Sequence, residues 1–482
     1  MDAGAITSTR ADKSVTWLGN WLRRPESWVL VVAVVYGLAQ LLVLDSRRFL
    51  TWDEAVYVAE VSPFADAVGM GAHRARGITY LVAPVTMLTE SMPALRVYLA
   101  IASSAALFGA FFVWCRSIGW AAPTAAALFA SSWITLFYGS AAYPNLYSAL
   151  LAVAVLGLAW LITTSPNRSR LLLLSALVAA TVLVRPLDAA LVAVSVLITG
   201  VVAGQGLPAL SVATASGVAV GAVPWVVESW ARFGGPLQRL EISGETVGGG
   251  LHNNLQDYLR LLDGTAMLNV VAVASLGALV ILGLLGFASY DGRSRRASLV
   301  SMMASALLAA PYLFATEPLA QRFLLPALAL LCLASGLGVT AVFARLGDRR
   351  GVAIVLTGVL VLVSLWNVPA IRAWDDRQVG NTETARTLGD AIEMEAGPGS
   401  CFFLSPSNHP AIAIASGCRG AGLGVDVEDN RRRIESVRSE GARVFVVTNS
   451  VDPGVIVGDG WICRPIPSLA ERGWQLCAPA DQ

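Results

Sequence analysis

Apolar stretches of helical length recur along most of the chain, with short polar segments between them. A helix that crosses a membrane needs about 20 mainly apolar residues, and these stretches are close to that length. The pattern therefore predicts a polytopic α-helical membrane protein with about eleven transmembrane helices. They are expected at residues 27–44, 94–116, 120–138, 143–164, 171–184, 186–203, 209–230, 267–288, 297–314, 321–344 and 352–368.

Basic residues in the short segments predict the orientation of these helices. They precede the first apolar stretch and then recur in alternate loops, so all of them lie on one side of the membrane. The positive-inside rule makes that side the cytoplasm. Residues 1–26 are polar, do not resemble a cleaved signal and are expected in the cytoplasm. The basic residues are Arg10, Lys13, Arg23, Arg24, Arg116, Arg168, Arg170, Arg293, Arg295, Arg296, Arg345, Arg349 and Arg350.

The same topology predicts three segments on the outer side of the cytoplasmic membrane. A first loop at residues 45–93 and a second loop at residues 231–266 belong to a transmembrane catalytic domain at residues 27–368. Residues 369–482 are long enough to form an extracytoplasmic domain of their own. The C-terminal end of the chain is therefore expected outside the cell membrane, opposite the N-terminus.

Hydrophobic patterning predicts a small α/β fold for this outer domain. Residues 400–404 and 443–447 are short, apolar and rich in Phe and Val, which is typical of buried strands. Residues 382–396 and 429–441 have helical periodicity.

Four of the six cysteines fall in the predicted outer domain. An even number in an oxidising compartment predicts two disulfides, and proximity favours Cys401–Cys418 and Cys463–Cys477 over the two other pairings. A zinc site is the alternative, although no CxxC spacing is present. The remaining two lie in apolar stretches, where small packing residues are expected: Cys115 and Cys332.

Composition excludes a soluble protein and argues against a nucleic-acid-binding one. Of the 482 residues, 55% are hydrophobic and only 14% are charged, whereas a water-exposed surface needs far more charge. The formal net charge is +1, so neither a basic surface for nucleic acid nor a polybasic lipid contact is expected.

Two adjacent carboxylates, Asp53 and Glu54, follow the first apolar stretch. Carboxylates beside a bilayer are costly to desolvate, so they usually mark a wet functional cavity. The alternative is structural, because Thr51 and Glu54 have the spacing of a helix capping box. Adjacent helical residues point about 100° apart, so the two roles can divide between the two residues. We assign catalysis first to Asp53, on the same helix face as Tyr57, with Glu54 as the second catalytic candidate.

A set of short motifs runs in order through the membrane part: Trp52-Asp53-Glu54-Ala55-Val56-Tyr57, Arg76-Gly77-Ile78-Thr79-Tyr80-Leu81-Val82-Ala83-Pro84, Leu183-Val184-Arg185-Pro186, Pro224-Trp225, Phe233-Gly234-Gly235-Pro236-Leu237 and Gln321-Arg322-Phe323-Leu324-Leu325-Pro326. In this order they resemble the GT-C glycosyltransferases. The nearest resemblance is to the branch that contains the aminoarabinose transferases of lipid A and the protein O-mannosyltransferases. The chain departs from the family at Tyr143-Pro144-Asn145, where relatives often carry an acidic residue. It departs again at Arg76-Gly77-Ile78, where the aminoarabinose branch has Lys-Pro-Pro.

The resemblance implies an inverting glycosyltransferase that uses a polyprenyl-phosphate-linked sugar donor. The acceptor would be a hydroxyl group of a cell-wall glycan, a lipid or a protein on the outer side of the membrane. The first-loop aspartate of the family is the catalytic base, which corresponds to Asp53 here. Sugar transfer onto a hydroxyl needs one base, and the leaving phosphate needs cations rather than a general acid.

Four arginines near the outer membrane face are candidates for binding the donor phosphate, because a guanidinium group offers paired donors to phosphate oxygens. The resemblance covers Arg76 and Arg322. For Arg74 and Arg185, an extended contact with lipid headgroups is the alternative.

Further substrate contacts are predicted for one polar and several aromatic side chains near these motifs: Tyr57, Tyr80, Tyr143, Asn145 and His73. For His73 a solvated loop residue is the alternative. No cofactor is predicted, and a divalent metal is left open. The expected partners are the sugar donor, the acceptor and the lipid bilayer, without nucleic acid.

A lipid or solute transporter is the alternative function, since transporters also use arginines within the membrane and interrupted helices. Transporters usually contain repeated halves with matching interrupted spans, and no such self-similarity is visible in this sequence. A disulfide-linked outer domain is also uncommon among them.

Overall fold

The protein is described by a computed structural model that covers residues 21, 23–64, 69–247, 253–255, 257–258, 266–315, 320–345, 349–397, 400–406, 408–423, 427–449 and 460–480. The apolar stretches predicted as spans are helical, although the stretch at 120–138 is divided between two helices. In chain order the helices are α1 (Pro25–Val43), α2 (Trp52–Ala59), α3 (Gly77–Thr86), α4 (Met92–Ile118), α5 (Ala121–Ala130), α6 (Trp133–Gly139), α7 (Pro144–Ile162), α8 (Arg168–Val184), α9 (Pro186–Ala203), α10 (Leu207–Phe233), α11 (Pro236–Val247), α12 (Ala266–Ser289), α13 (Gly292–Phe314), α14 (Leu325–Arg345), α15 (Arg349–Ala396), α16 (His409–Ser416) and α17 (Val427–Ser439).

Within the described ranges, seven helical segments are long and apolar enough to cross a membrane. The number rises to eight if α5 and α6, which meet at a bend of 76°, count as one broken span. The chain is thus a multi-pass α-helical membrane protein, as predicted, but the predicted number of eleven spans is not confirmed. With 17 residues, α8 is shorter than a typical span.

The centre of the membrane part is formed by α7 and α14. In their apolar windows 89% and 72% of the residues are buried, whereas 28% are buried in the window of α1. Small residues allow the close approach of helices in a membrane. A Cβ atom on Gly338 of α14 would lie 1.8 Å from the carbonyl oxygen of Leu282 on α12, so this contact requires glycine.

The segment between α1 and α4 contains the two short helices α2 and α3. At the start of α3, a Cβ atom on Gly77 would lie 2.7 Å from the carbonyl oxygen of Leu183 near the end of α8. Glycine therefore lets the first outer loop pack directly against the turn that carries Arg185. The loop between α2 and α3 contains Arg74 and Arg76.

The C-terminal part contains a five-stranded sheet in the order β2-β1-β3-β5-β4. β1 pairs in parallel with β2 and β3, whereas β5 is antiparallel to β3 and β4. The predicted strands at 400–404 and 443–447 are confirmed as β1 and β3. The strands are β1 (Cys401–Ser405), β2 (Arg419–Gly422), β3 (Arg443–Thr448), β4 (Trp461–Pro465) and β5 (Gln475–Pro479).

Both predicted helices of this region are also present. The prediction at 429–441 corresponds to α17, and the prediction at 382–396 corresponds to the end of the 48-residue helix α15. Because α15 runs without a break across residue 369, the domain boundary proposed there stays a prediction.

The two predicted disulfides are confirmed as Cys401–Cys418 and Cys463–Cys477. The first ties β1 to the segment that leads into β2, and the second links the antiparallel strands β4 and β5. The other cysteines are free and buried, as expected of packing residues: Cys115 and Cys332.

The C-terminal part of the chain packs directly on the segment between α1 and α4. Helix α16 lies against α2, and the Asn408 side chain donates a hydrogen bond of 3.4 Å to the carbonyl oxygen of Leu50. A buried ion pair of 2.6 Å joins Arg48 to Asp375 on α15. Asp375 also accepts a 2.7 Å hydrogen bond from the backbone N–H of Asp45. Helix α2 and the residues before it are therefore held against the C-terminal part of the chain.

Candidate active site

Helix α2 begins with the capping box that the sequence predicts. Thr51 precedes the first helical residue, and its backbone N–H donates to a carboxylate oxygen of Glu54 at 3.1 Å. The hydroxyl of Thr51 lies 3.0 Å from the same oxygen and 2.6 Å from the hydroxyl of Tyr143. The start of the helix, and with it the direction of Asp53, is fixed by these contacts.

Glu54 is completely buried, and both oxygens of its carboxylate accept hydrogen bonds. Its carboxylate forms an ion pair with Arg96 of α4 and accepts a 3.0 Å hydrogen bond from the backbone N–H of Ala142. Burial alone would raise the pKa of Glu54, but the charges of Arg96 and Arg48 and the Ala142 bond lower it to about 2. Glu54 is thus a permanently charged group that joins α2 to two other segments.

Asp53 lies on the other face of α2, and a quarter of its side chain is exposed. One carboxylate oxygen accepts a 2.5 Å hydrogen bond from Arg74, and the other accepts a 2.8 Å hydrogen bond from Arg322. These two arginines come from the loop between α2 and α3 and from the turn before α14. Residues that are 269 positions apart in the chain therefore meet at one carboxylate.

Aromatic side chains surround Arg322. Its guanidinium group lies 4.8 Å from the ring centre of Tyr143 and 5.3 Å from that of Phe323, and it is hydrogen-bonded to Tyr138. Guanidinium groups are attracted to the faces of aromatic rings. Arg322 is thus held by contacts that do not depend on Asp53.

The other predicted substrate residues are distributed around this group. Tyr57 is buried within electrostatic range of Asp53 and Arg74, and burial raises the pKa of Tyr57 to about 12, so its hydroxyl keeps its proton. His73 is exposed beside Arg74, and Tyr80 is half exposed on α3. Asn145 is buried at the start of α7, and its amide nitrogen has no hydrogen-bond partner among the described residues.

Arg185 and Arg76, also predicted to bind phosphate, contact other carboxylates. Arg185 lies 3.3 Å from Asp188 and donates a 2.8 Å hydrogen bond to the hydroxyl of Tyr312. Arg76 pairs at 2.8 Å with Glu60 and at 2.7 Å with Glu228 of α10. The arginine that accompanies Arg322 at Asp53 is Arg74.

Glu228 is the centre of a second cluster of charges, in which two further arginines lie at 3.0 Å and 3.2 Å. One of them, Arg239 of α11, is completely buried and donates to the backbone carbonyls of Ala72 at 3.0 Å and Arg74 at 2.8 Å. Arg239 therefore fixes the backbone from which the Arg74 side chain reaches Asp53. The other arginine of the cluster is Arg232.

Sequence reasoning missed Arg239 and also Arg96 and Tyr138. Arg239 is one of several arginines in the predicted second outer loop, and no signal in the sequence distinguished it from the others. Arg96 stands near the start of an apolar stretch, where a charge needs a buried partner. No signal pointed to Tyr138. Within the described ranges, no three His, Cys, Asp or Glu side chains are grouped so that they could hold a metal ion.

No family model and no curated protein matches the chain. Solved structures match it over nearly its whole length. ArnT from Cupriavidus metallidurans bound to undecaprenyl phosphate gives a TM-score of 0.66 at 13% identity, covering 94% of this chain and 98% of that chain. The apo state of ArnT gives 0.63 at 14% identity, with 97% and 99% covered.

Arabinofuranosyltransferase AftD from Mycobacteria gives a TM-score of 0.53 at 15% identity. The alignment covers 94% of this chain but 40% of AftD, which is much longer. At these levels of identity the likeness shows the fold. The chain therefore shares the fold of ArnT, and this agrees with the fold that the resemblance of its ordered motifs implied.

Proposed function

We propose that this chain is an inverting glycosyltransferase, which moves a sugar from a polyprenyl-phosphate-linked donor to a hydroxyl acceptor on the outer side of the cytoplasmic membrane. The observation that carries the proposal is the meeting of Asp53, Arg74 and Arg322 on a partly exposed surface at the end of a membrane helix bundle. A base and two phosphate-binding cations are the groups that this reaction requires.

In the proposed reaction Asp53 is the base. The acceptor oxygen attacks the anomeric carbon of the donor sugar while its proton passes to the Asp53 carboxylate. The bond between that carbon and the phosphate oxygen breaks, and the electron pair leaves with the polyprenyl phosphate. Attack from the face opposite the leaving group inverts the anomeric centre.

Arg74 and Arg322 would bind the phosphate and stabilise the negative charge that grows on it. Guanidinium groups form short, charge-assisted hydrogen bonds with phosphate oxygens, and their planar fork suits two oxygens at once. Arg185 carries the permanent positive charge of a guanidinium group and lies within electrostatic range of Arg322, so it would add to the positive field at the same place. Arg76 would act at the edge of the site, because Glu60 and Glu228 hold it.

The polyprenyl carrier is supported by the fold. The ArnT structure that shares it over 94% of this chain is bound to undecaprenyl phosphate. The outer location is supported by the positive-inside pattern and by two disulfides in the C-terminal part, because disulfides persist in oxidising compartments. The acceptor would be a cell-wall glycan, a lipid or a protein.

The test is direct transfer of label in membranes that contain the full chain. A panel of radiolabelled polyprenyl-phosphate sugars is supplied, and label is measured in the glycan, lipid and protein fractions. One donor should give transfer with the wild-type chain and background levels with an equal amount of Asp53→Asn. Equal transfer by wild type and Asp53→Asn with every active donor would refute the proposed mechanism. The absence of transfer from the whole panel would refute the donor class.

A further inference from the structure

The contacts of Asp53 conflict with its proposed role. Arg74 donates to one of its carboxylate oxygens and Arg322 donates to the other, so both oxygens are engaged by guanidinium groups. These are the two cations that would bind the donor phosphate. A carboxylate that satisfies the phosphate-binding cations competes with the phosphate, and it is not free to accept the acceptor proton.

Carboxylate and phosphate are equivalent partners for arginine in one important respect. Both present two oxygens at a spacing that fits the guanidinium fork, and both form charge-assisted hydrogen bonds. A phosphate, with its greater charge, can therefore take the place of a carboxylate on the same pair of arginines.

We propose that Asp53 is an internal anion that occupies the donor-phosphate site until the donor binds. The phosphate then takes over Arg74 and Arg322, and the released carboxylate becomes the base for the acceptor hydroxyl. Substrate binding is consequently ordered, with the donor first. This inference rests on the proposed function, because it concerns the donor of that reaction.

The Arg322 side chain and the backbone that carries Arg74 are held in place without Asp53, which is what such an exchange requires. The Tyr138 hydroxyl and the ring of Tyr143 position the Arg322 side chain. The backbone carbonyl of Arg74 is fixed by Arg239, whose guanidinium lies between the rings of Trp225 and Phe233, 4.8 Å from each centre. When the carboxylate leaves, Arg322 and the backbone of Arg74 keep these contacts, and the Arg74 guanidinium is released to the phosphate.

The neighbouring carboxylates are not suited to this exchange. Glu54 is buried within a capping box and an ion pair, so its movement would open the start of α2. Glu228 is 9% exposed and binds three arginines at once. Asp53 is the more exposed of these carboxylates and is linked to the rest of the molecule by arginines alone among the described contacts of its side chain.

The test measures the binding of farnesyl phosphate, a short polyprenyl phosphate without a sugar, to the purified full chain in detergent. Removing the internal anion should strengthen binding. Asp53→Asn and Asp53→Ala should therefore lower the Kd for farnesyl phosphate by about tenfold or more, which is the change in affinity that one charge-assisted hydrogen bond contributes. Asp53→Glu keeps the competing charge and should not bind more tightly than wild type.

A matched control separates this effect from the general loss of a negative charge. Glu440 pairs with Arg419 at 2.8 Å on the exposed surface of the outer domain. Glu440→Gln removes one charge and one arginine partner there, and it should leave Kd unchanged. Adding Arg322→Ala to Asp53→Asn should abolish the gain in affinity.

The outcomes distinguish this inference from the proposed function. If wild type binds farnesyl phosphate and both Asp53→Asn and Asp53→Ala bind it equally or more weakly, Asp53 is not a competing anion, although the donor class stands. An equal gain in Glu440→Gln would also overturn the inference. If the wild-type chain and all variants fail to bind farnesyl phosphate, the proposed donor and this inference fail together.

Discussion

The two faces of helix α2 carry adjacent carboxylates in opposite surroundings. On the inner face, Glu54 is completely buried and pairs with Arg96, Thr51 and the backbone of Ala142. On the outer face, Asp53 is a quarter exposed and touches two arginines from distant segments. Residues that are next to each other in the chain thus meet entirely different partners.

The difference between the faces indicates a structural role for Glu54 and leaves Asp53 as the candidate for chemistry. Every oxygen of Glu54 is used to join segments of the fold, so a change of its partners would disrupt the structure. The partners of Asp53 are two arginines at a partly exposed surface. In the proposed mechanism a substrate reaches these arginines and replaces the carboxylate. A charged group that is partly exposed and surrounded by opposite charges is the better candidate for catalysis.

The largest effect is expected on the inner face. Glu54→Gln removes the negative charge and leaves the buried Arg96 guanidinium without its ionic partner. Breaking a buried ion pair from one side costs roughly 3–5 kcal/mol, because the remaining charge stays desolvated. The free energy of unfolding, measured by denaturant titration of the purified chain, should fall by that amount.

Asp53→Asn is the matched control for this measurement. It makes the same chemical change one residue earlier, on the face where the ion pairs are partly exposed, and such pairs contribute about 0–1 kcal/mol. Equal destabilisation by the two substitutions would show that the faces do not differ in the way proposed here.

Turnover should be reduced more by Asp53→Asn than by Glu54→Gln, which is the reverse of their effects on stability. Asp53→Asn keeps the size of the side chain but cannot accept a proton, so turnover should fall by about a hundredfold or more. Glu54→Gln, assayed at a temperature where it is folded, should lose much less. If Glu54→Gln is inactive while Asp53→Asn turns over normally, the two carboxylates are assigned the wrong way round.

The sequence could predict the parts of this site that depend on neighbouring residues. The Thr51–Glu54 capping box and the division of roles between Asp53 and Glu54 follow from helical geometry alone, and the capping box is present. Both disulfides were predictable because proximity in the chain limited the pairings. The apolar spans were predictable as helices, since length and hydropathy define them.

The partners that come from distant segments could not be predicted in the same way. Arg74 and Arg76 are two residues apart in one loop, and only the packing of that loop against α8 and α11 decides which one reaches Asp53. The role of Arg239 depends on the same packing, because its partners are backbone carbonyls of the first loop. Every residue has a backbone carbonyl, so the sequence does not indicate which of them accepts a hydrogen bond from a distant side chain.

The two arginine clusters can be compared by their effect on donor binding. Arg322→Ala removes a cation at Asp53 and should weaken the binding of farnesyl phosphate by about 1.5–3 kcal/mol. Arg322→Lys should recover part of the loss, since lysine keeps the charge but lacks the fork. Arg76→Ala should weaken binding less, because Glu60 and Glu228 already engage Arg76. A larger loss in Arg76→Ala than in Arg322→Ala would mean that the phosphate binds among the arginines around Glu228 and not at Asp53.

The last effect depends on pH and concerns the contact between α2 and the C-terminal part of the chain. The ring of His409 lies edge-on to the ring of Trp52, with 4.4 Å between their centres. Burial lowers the pKa of His409 from 6.5 to about 4, and its buried Nδ1 has no hydrogen-bond partner among the described residues. The folded chain therefore keeps this imidazole neutral at pH values where the unfolded chain is already protonated.

The sign of the pH dependence follows from this difference. Between pH 6.5 and about 4 the unfolded state binds the extra proton, so the free energy of unfolding should decrease as the pH falls through that window. His409→Gln cannot bind the proton and should show a shallower decrease over the same range, which thermal unfolding at a series of pH values would measure. The difference between the two curves isolates His409 from the carboxylates that titrate in the same interval. Parallel curves would mean that His409 is solvated in the folded protein. The contact between His409 and Trp52 would then be looser than the buried contacts of Glu54 on the inner face of α2.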